Sequence, residues 1–100
     1  MPATPKLSDD DVTRELAMLD GWTREDDKIF REYTFADFVT AFSFMAGIAL
    51  VAEKMDHHPT WLNVYAKVCV HLTTHDVGGL SAFDFQFART MDAHARRLMA

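Results

Sequence analysis

Leu62-Asn63-Val64-Tyr65-Ala66-Lys67-Val68-Cys69-Val70-His71-Leu72-Thr73 decides the fold class of this 100-residue chain, because the apolar residues change period there. Val64, Ala66, Val68, Val70 and Leu72 fall on one face of an extended chain, and Asn63, Tyr65, Lys67, Cys69, His71 and Thr73 fall on the other. No Gly, Pro or Asn-Gly punctuates the run, so the residues alone predict one long strand. Immediately upstream, residues 36–56 repeat as a helix. Phe38, Ala41, Phe42, Met45, Ile48, Ala49, Ala52 and Met55 follow the i, i+3, i+4, i+7 pattern. Gly47 inside it costs roughly 1 kcal/mol relative to Ala, unless another helix needs the space. Pro59 disfavours the α region at His58, which ends the helix at about Asp56 or His57.

Upstream of that helix, Ser8 is a good N-cap, Asp9, Asp10 and Asp11 favour the positive end of a helix dipole, and Leu7 can staple onto Val12. Val12, Leu16 and Leu19 repeat at helical spacing up to Asp20-Gly21, where Gly21 suits a left-handed cap. Trp22 to Arg24, the polar turn Glu25-Asp26-Asp27-Lys28 and Ile29 to Phe35 read as a hairpin. Beyond the long strand, His75 to Leu80 is a loop containing Gly78-Gly79. Ser81 then caps a last helix with Asp84 as a short-armed capping-box partner. Phe87, Met91, Ala95 and Leu98 form its stripe. The order α-β-β-α-β-α, with one-sided helices, implies an α+β domain in which helices cover one face of an antiparallel sheet.

Composition narrows the function. One hundred residues make a single domain, with 1–6 expected to be flexible. A net charge of −5 with scattered basic residues argues against direct nucleic-acid binding, since phosphate contacts need clustered Lys and Arg. The lone Cys69 excludes an intramolecular disulfide framework and a Cys-based zinc cluster. Met1 to Lys6 lacks the apolar run of a secretory signal. The apolar stretch Phe38 to Ala52 is interrupted by Thr40 and Ser43 and falls short of the ~20 residues that cross a bilayer. A cytoplasmic protein with no membrane partner is expected.

The chemistry-bearing residues gather at element ends. Glu53 and His57 are four apart on one helix, His57-His58-Pro59 marks the junction with Trp61 two residues on, and Thr74-His75-Asp76 follows the long strand. Taken singly, each has a bland reading: a junction histidine as a solvated cap, Trp61 as core or rim, Thr74 and Asp76 as a turn. His71 and His94 fit the strand and helix patterns without a further role. Together, three imidazoles near Glu53 and Asp56 suit either proton transfer or metal binding, and the residues alone leave those two equal. No nucleophile triad and no phosphate-binding glycine loop is present.

The string Glu53-Lys54-Met55-Asp56-His57-His58-Pro59-Thr60-Trp61, then Asn63-Val64-Tyr65, Leu72-Thr73-Thr74-His75, Gly79-Leu80-Ser81 and Asp84, resembles the pterin-4a-carbinolamine dehydratase signature. The resemblance covers roughly residues 20–92, with the first helix a weaker match. It implies an α-β-β-α-β-β-α fold with a four-stranded antiparallel sheet, and so a tight turn near Ala66-Lys67 inside the long strand. It also implies dehydration of 4a-hydroxytetrahydropterin to quinonoid dihydropterin, without metal or organic cofactor. By the same resemblance His57 and His75 are acid/base residues, His58 orients the substrate, and Glu53 and Asp56 support them. Trp61 walls the pocket, Thr73, Thr74 and Asp76 hold the pterin, and Pro59 and Asp84 belong to the binding set. Phe83 departs from the polar residue usual at its position. Phe83 is expected to touch no matched motif residue, so the departure is expected to bear on partner surfaces and not on chemistry.

The expected partners are therefore a pterin and further copies of the chain, as a dimer or tetramer, with a functional link to an aromatic amino-acid hydroxylase. Animal relatives also serve as dimerisation cofactors of a transcription factor, which leaves a non-catalytic binding role as the rival reading.

Overall fold

The computed structural model describes residues 5–99. Helix α1 (Asp9–Leu16) leads into strands β1 (Thr23–Glu25) and β2 (Lys28–Thr34). Helix α2 (Phe38–Met55) is followed by β3 (Thr60–Val64), β4 (Lys67–Leu72), a 3-10 turn over His75–Val77 and helix α3 (Ala82–Met99). The four strands form one antiparallel sheet in the order β1-β2-β4-β3. This is the α+β architecture implied by the resemblance. Of the segment expected to be flexible, residues 1–4 lie outside the described residues, while Lys6 pairs with Ser81 and the Leu7 N–H donates to the Leu80 carbonyl at 2.8 Å.

The single long strand is corrected to a hairpin. Val64 pairs with Lys67, and Tyr65 takes φ +53° in the tight turn between them. Asn63 fastens that turn by donating its side-chain amide to the Tyr65 and Lys67 carbonyls at 3.1 and 2.8 Å. A β-branched or aromatic run hides such a turn, because Tyr-Ala carries none of the usual turn chemistry. The fold-back also reverses the side-chain alternation. Ala66, Val68, Val70 and Leu72 are buried as expected, but Val64 is exposed.

The first helix stops at Leu16, one turn sooner than its apolar spacing predicts, and Leu19 is buried from a tightened turn after it. Its start agrees with the capping residues, since Ser8 accepts from the Asp11 N–H at 3.1 Å. Gly21, at φ +89°, is not the helix cap. A Cβ there would lie 2.8 Å from the Arg31 guanidinium carbon.

In α2 the core face is Ala41, Phe44, Ile48 and Ala52, with Met45, Val51 and Met55 packed beside it. Phe38, Phe42 and Ala49, assigned to the stripe by period, point outward. The helix is 18 residues long with mean hydropathy 1.5, enough by length and composition to cross a membrane, and only part of it is buried. In α3, Phe87, Met91 and Ala95 are core as predicted, joined by Phe85 and Ala88, whereas Leu98 is exposed. The core thus lies between α2, α3 and the Ile29, Tyr33, Val68, Val70, Leu72 face of the sheet. Tyr33, Phe35 and Phe44 form its aromatic centre, with ring centroids 4.8 to 6.1 Å apart.

Candidate active site

Three chain ends meet at one end of this sheet: the C-terminus of α2, the end of β4 and the N-terminus of α3. The α2 end is set by Asp56, which adopts a left-handed φ of +52°. That reversal lets the His57 N–H reach the Ala52 carbonyl at 3.1 Å, and Pro59 keeps the chain extended afterwards. The result separates the adjacent histidines. His57 turns inward and is buried, whereas His58 stays exposed and meets the Glu53 carboxylate at 2.7 Å.

His57 is held from behind. Its Nε2 lies 2.7 Å from Oδ1 of the fully buried Asp84. The other carboxylate oxygen accepts from the Ser81 N–H at 2.9 Å and from the Thr74 hydroxyl at 2.8 Å. With Thr74 donating to Asp84, the Ser81 hydroxyl donates to Thr74 across 2.7 Å and accepts the Phe83 N–H at 3.3 Å. No buried polar side-chain atom among the described residues lacks a partner. A carboxylate that already takes two donors on Oδ2 presents Oδ1 as an acceptor, so Nε2 of His57 carries the hydrogen. Nδ1 makes no hydrogen bond among the described residues. The rings of Phe83 and Phe87 flank this imidazole, each with its centroid 5.9 Å away.

Thr73 and Thr74 leave β4 together and diverge. Thr74 exchanges backbone hydrogen bonds with Gly79 at 2.9 and 3.4 Å, which closes the loop and fixes the 3-10 turn at its tip. Thr73 donates its hydroxyl to the Asp27 carbonyl at 2.7 Å, tying the β1–β2 turn to the site. Gly78, at φ +66°, completes the loop. His75 and Asp76 sit exposed on the 3-10 turn.

Between these ends is a cavity of about 300 Å³. Asp56, His57, His58, Pro59 and Thr60 line one side; Thr73, Thr74, His75 and Asp76 line the other. It lies at the lower limit of small-molecule sites and is bounded mainly by polar groups. Glu53, Trp61 and Asp84 are outside that lining. Glu53 reaches it through His58 and Asp84 through His57, while Trp61 is half-buried against the core, opposite Val70. Among the described residues no group of three His, Cys, Asp or Glu is placed to hold a metal ion.

A buried carboxylate fixing the tautomer of one imidazole, with a second imidazole across a cavity, can give and take protons on a bound molecule. The comparison with known proteins bears on which molecule. The model of the family "Pterin 4 alpha carbinolamine dehydratase" matches residues 5–94. The chain belongs to that family. The match takes in α1, extending beyond the roughly 20–92 carried by the sequence motifs.

Among members of the pterin-4a-carbinolamine dehydratase family, a Solibacter usitatus protein is 50% identical over 92 residues, 92% of this chain and 97% of that one. A Rhodopseudomonas palustris protein is 50% identical over 95 residues, 93% of this chain and 94% of its own. Both bear the name "Putative pterin-4-alpha-carbinolamine dehydratase". The crystal structure of a transcriptional coactivator/pterin dehydratase from Brucella melitensis superposes with a TM-score of 0.88 at 46% identity, covering 90% of this chain and 98% of that one. A pterin dehydratase-like protein described as a RuBisCO assembly factor in the alpha-carboxysome shares the fold at TM-score 0.62 and 20% identity, over 74% of this chain and 86% of that one.

Three contributors escape a reading of the sequence. Ser81 is legible as a helix cap, yet it also orders the Thr74–Asp84 pair. The Asp27 carbonyl reaches Thr73 from 46 residues away. Phe83 is the third, and here the expectation is corrected: its ring packs beside His57, so its departure from the usual polar residue falls on the site.

Proposed function

We propose that the chain dehydrates 4a-hydroxytetrahydropterin to quinonoid dihydropterin and water, using His57 and His75 as the proton-transfer pair. The observation that carries this reading is the His57–Asp84 pair at 2.7 Å, which leaves Nδ1 of His57 without a partner among the described residues, at a cavity that both His57 and His75 line. Hydroxide leaves C4a poorly. Protonation of the hydroxyl by an imidazolium lets it depart as water as the C4a–O bond breaks. A ring N–H of the substrate gives its proton to the second imidazole, so the product is neutral and the two histidines have exchanged one proton. Proton exchange with water resets the pair.

The remaining residues bind and orient. His58, backed by Glu53, fixes the ring at the cavity mouth. Asp56, Asp76, Thr73 and Thr74 offer acceptors and hydroxyls to the donors of a pterin edge, and Pro59 gives a flat apolar stop. Asp84 is a positioning residue, acting through His57 and not on the substrate. Trp61 supports β3 behind the rim. No cofactor is assigned a step. We place the reaction in the cytoplasm, recycling the tetrahydropterin spent by an aromatic amino-acid hydroxylase, and in a homo-oligomer.

A non-catalytic binding role is the second reading, favoured by the exposed apolar side chains of α2 and by the coactivator named for the Brucella relative. Supplying 4a-hydroxytetrahydropterin to the purified chain and following quinonoid dihydropterin separates the two. Dehydration faster than the buffer reaction is expected, with His58→Ala chiefly raising KM. A rate equal to buffer alone leaves only the binding role.

A further inference from the structure

A second hollow, of about 620 Å³, lies at the opposite end of α3 from the histidine cavity. Asp84 and Arg96 are twelve positions apart on that helix, a separation of roughly 18 Å at 1.5 Å per residue. Met18, Leu19, Ala95 and Met99 supply its apolar walls, and Arg31, Arg89 and Arg96 its charged ones.

The floor is a built network. Asp92, buried, accepts from the Trp22 indole at 3.1 Å, the Arg31 guanidinium at 2.9 Å and the Tyr33 hydroxyl. Burial, and then the Asp92 carboxylate, push the Tyr33 phenol well above its ordinary range, so it remains a donor. Arg31 is further fixed by donating to the Asp20 carbonyl at 2.9 Å and by lying 4.6 Å over the Tyr33 ring. Its Nε and Nη2 have no partner among the described residues. Gly21 is needed here, since a Cβ at that position would strike the guanidinium.

The rim carries charge that the floor does not neutralise. Arg89 has only Glu15, at 3.9 Å, and Arg96 forms no ion pair among the described residues. Of the three guanidiniums around the hollow, Arg31 is paired with Asp92 and Arg89 lies near Glu15, so Arg96 is the one left without an ion pair among the described residues. An unpaired guanidinium beside apolar walls suits a single negative charge on a small, partly apolar molecule.

We propose that this hollow is a binding site for a small organic monoanion, a carboxylate with a short apolar body. It is separate from the pterin cavity and does not depend on the assignment of that cavity. The test is a titration of the full chain with hexanoate, followed by amide NMR. Saturable shifts are expected at residues 18–21 and 95–99, with hexanol, its uncharged counterpart, binding more weakly. R89Q and R96Q should each weaken hexanoate by about tenfold, as for loss of a charge-assisted hydrogen bond. Inorganic phosphate should not displace it. The proposal is overturned by absence of saturation up to about 10 mM, by shifts confined to the histidine cavity, or by hexanol binding as tightly as hexanoate. Unchanged affinity in both folded variants contradicts it too, and displacement by phosphate refutes the monocarboxylate class. Should either variant fail to fold by circular dichroism, the hexanoate–hexanol comparison on the unaltered chain still decides.

Discussion

At Asp84 one side chain performs two tasks. It accepts the Ser81 N–H as the capping-box partner of α3, and it holds Nε2 of His57. Only the first task was legible, because it is local: Ser81 and Asp84 are three apart, as a capping box requires. The second depends on His57 and Thr74 arriving from other elements, and spacing along the chain does not report such meetings. Asp84→Asn separates the two tasks. The amide oxygen can still accept from Ser81 and Thr74, but the NH2 then faces His57 and favours the tautomer with hydrogen on Nδ1. Turnover is expected to fall by about 10²-fold or more, the direction known for an orienting carboxylate exchanged for amide. Nitrogen-15 shifts of the His57 ring should report the exchanged tautomer. A variant with the original tautomer and full turnover would remove Asp84 from the mechanism.

At the scale of elements, the starts and ends marked by caps and proline are where the sequence speaks most clearly. Ser8 and Ser81 cap helices as the spacing predicts, whereas the cap of α2 is Asp37, which the period places inside the helix. The Thr40 hydrogen bonds hold its carboxyl below the usual carboxylate range. Helix faces and tight turns are less legible. α2 is apolar on most sides, so its period selects Phe42 as readily as Phe44, yet Phe44 is fully buried and Phe42 is 58% exposed. The Tyr65 turn is invisible for a related reason: neither Tyr nor Ala announces a reversal, and the stitching comes from the Asn63 side chain and from the Phe35 N–H on the Ala66 carbonyl. Phe44→Ala is expected to destabilise by about 3–5 kcal/mol through lost burial and the cavity left behind. Phe42→Ala should change the stability of the isolated chain by no more than about 0.5 kcal/mol. Urea unfolding at low protein concentration measures both, and equal losses would mean the assigned core face of α2 is wrong.

The whole molecule leaves apolar surface uncovered. Val39, Phe42 and Leu50 on α2 and Leu62, Val64 and Tyr65 on β3 and its turn are all more than half exposed, and β3 is an edge strand. Exposure of that kind in a 100-residue domain favours self-association. Light scattering at micromolar concentration should give a mass at least twice 11.4 kDa, and a mass near 11.4 kDa would exclude the oligomer. The candidate cavity was legible as a set of residues, since the motif strings supply nearly all of its wall. How the set divides into proton carriers and supports was implied by the resemblance, whereas the placing of Asp84 behind His57 and of Phe83 beside it required the geometry. That division is the central claim, and steady-state dehydration kinetics on His57→Ala, His75→Ala and the double variant test it most directly, with circular dichroism as the folding control. Each single replacement is expected to slow turnover by about 10²–10⁴-fold, and the double to approach the uncatalysed rate. Folded single variants that both turn over at the unaltered rate would contradict it.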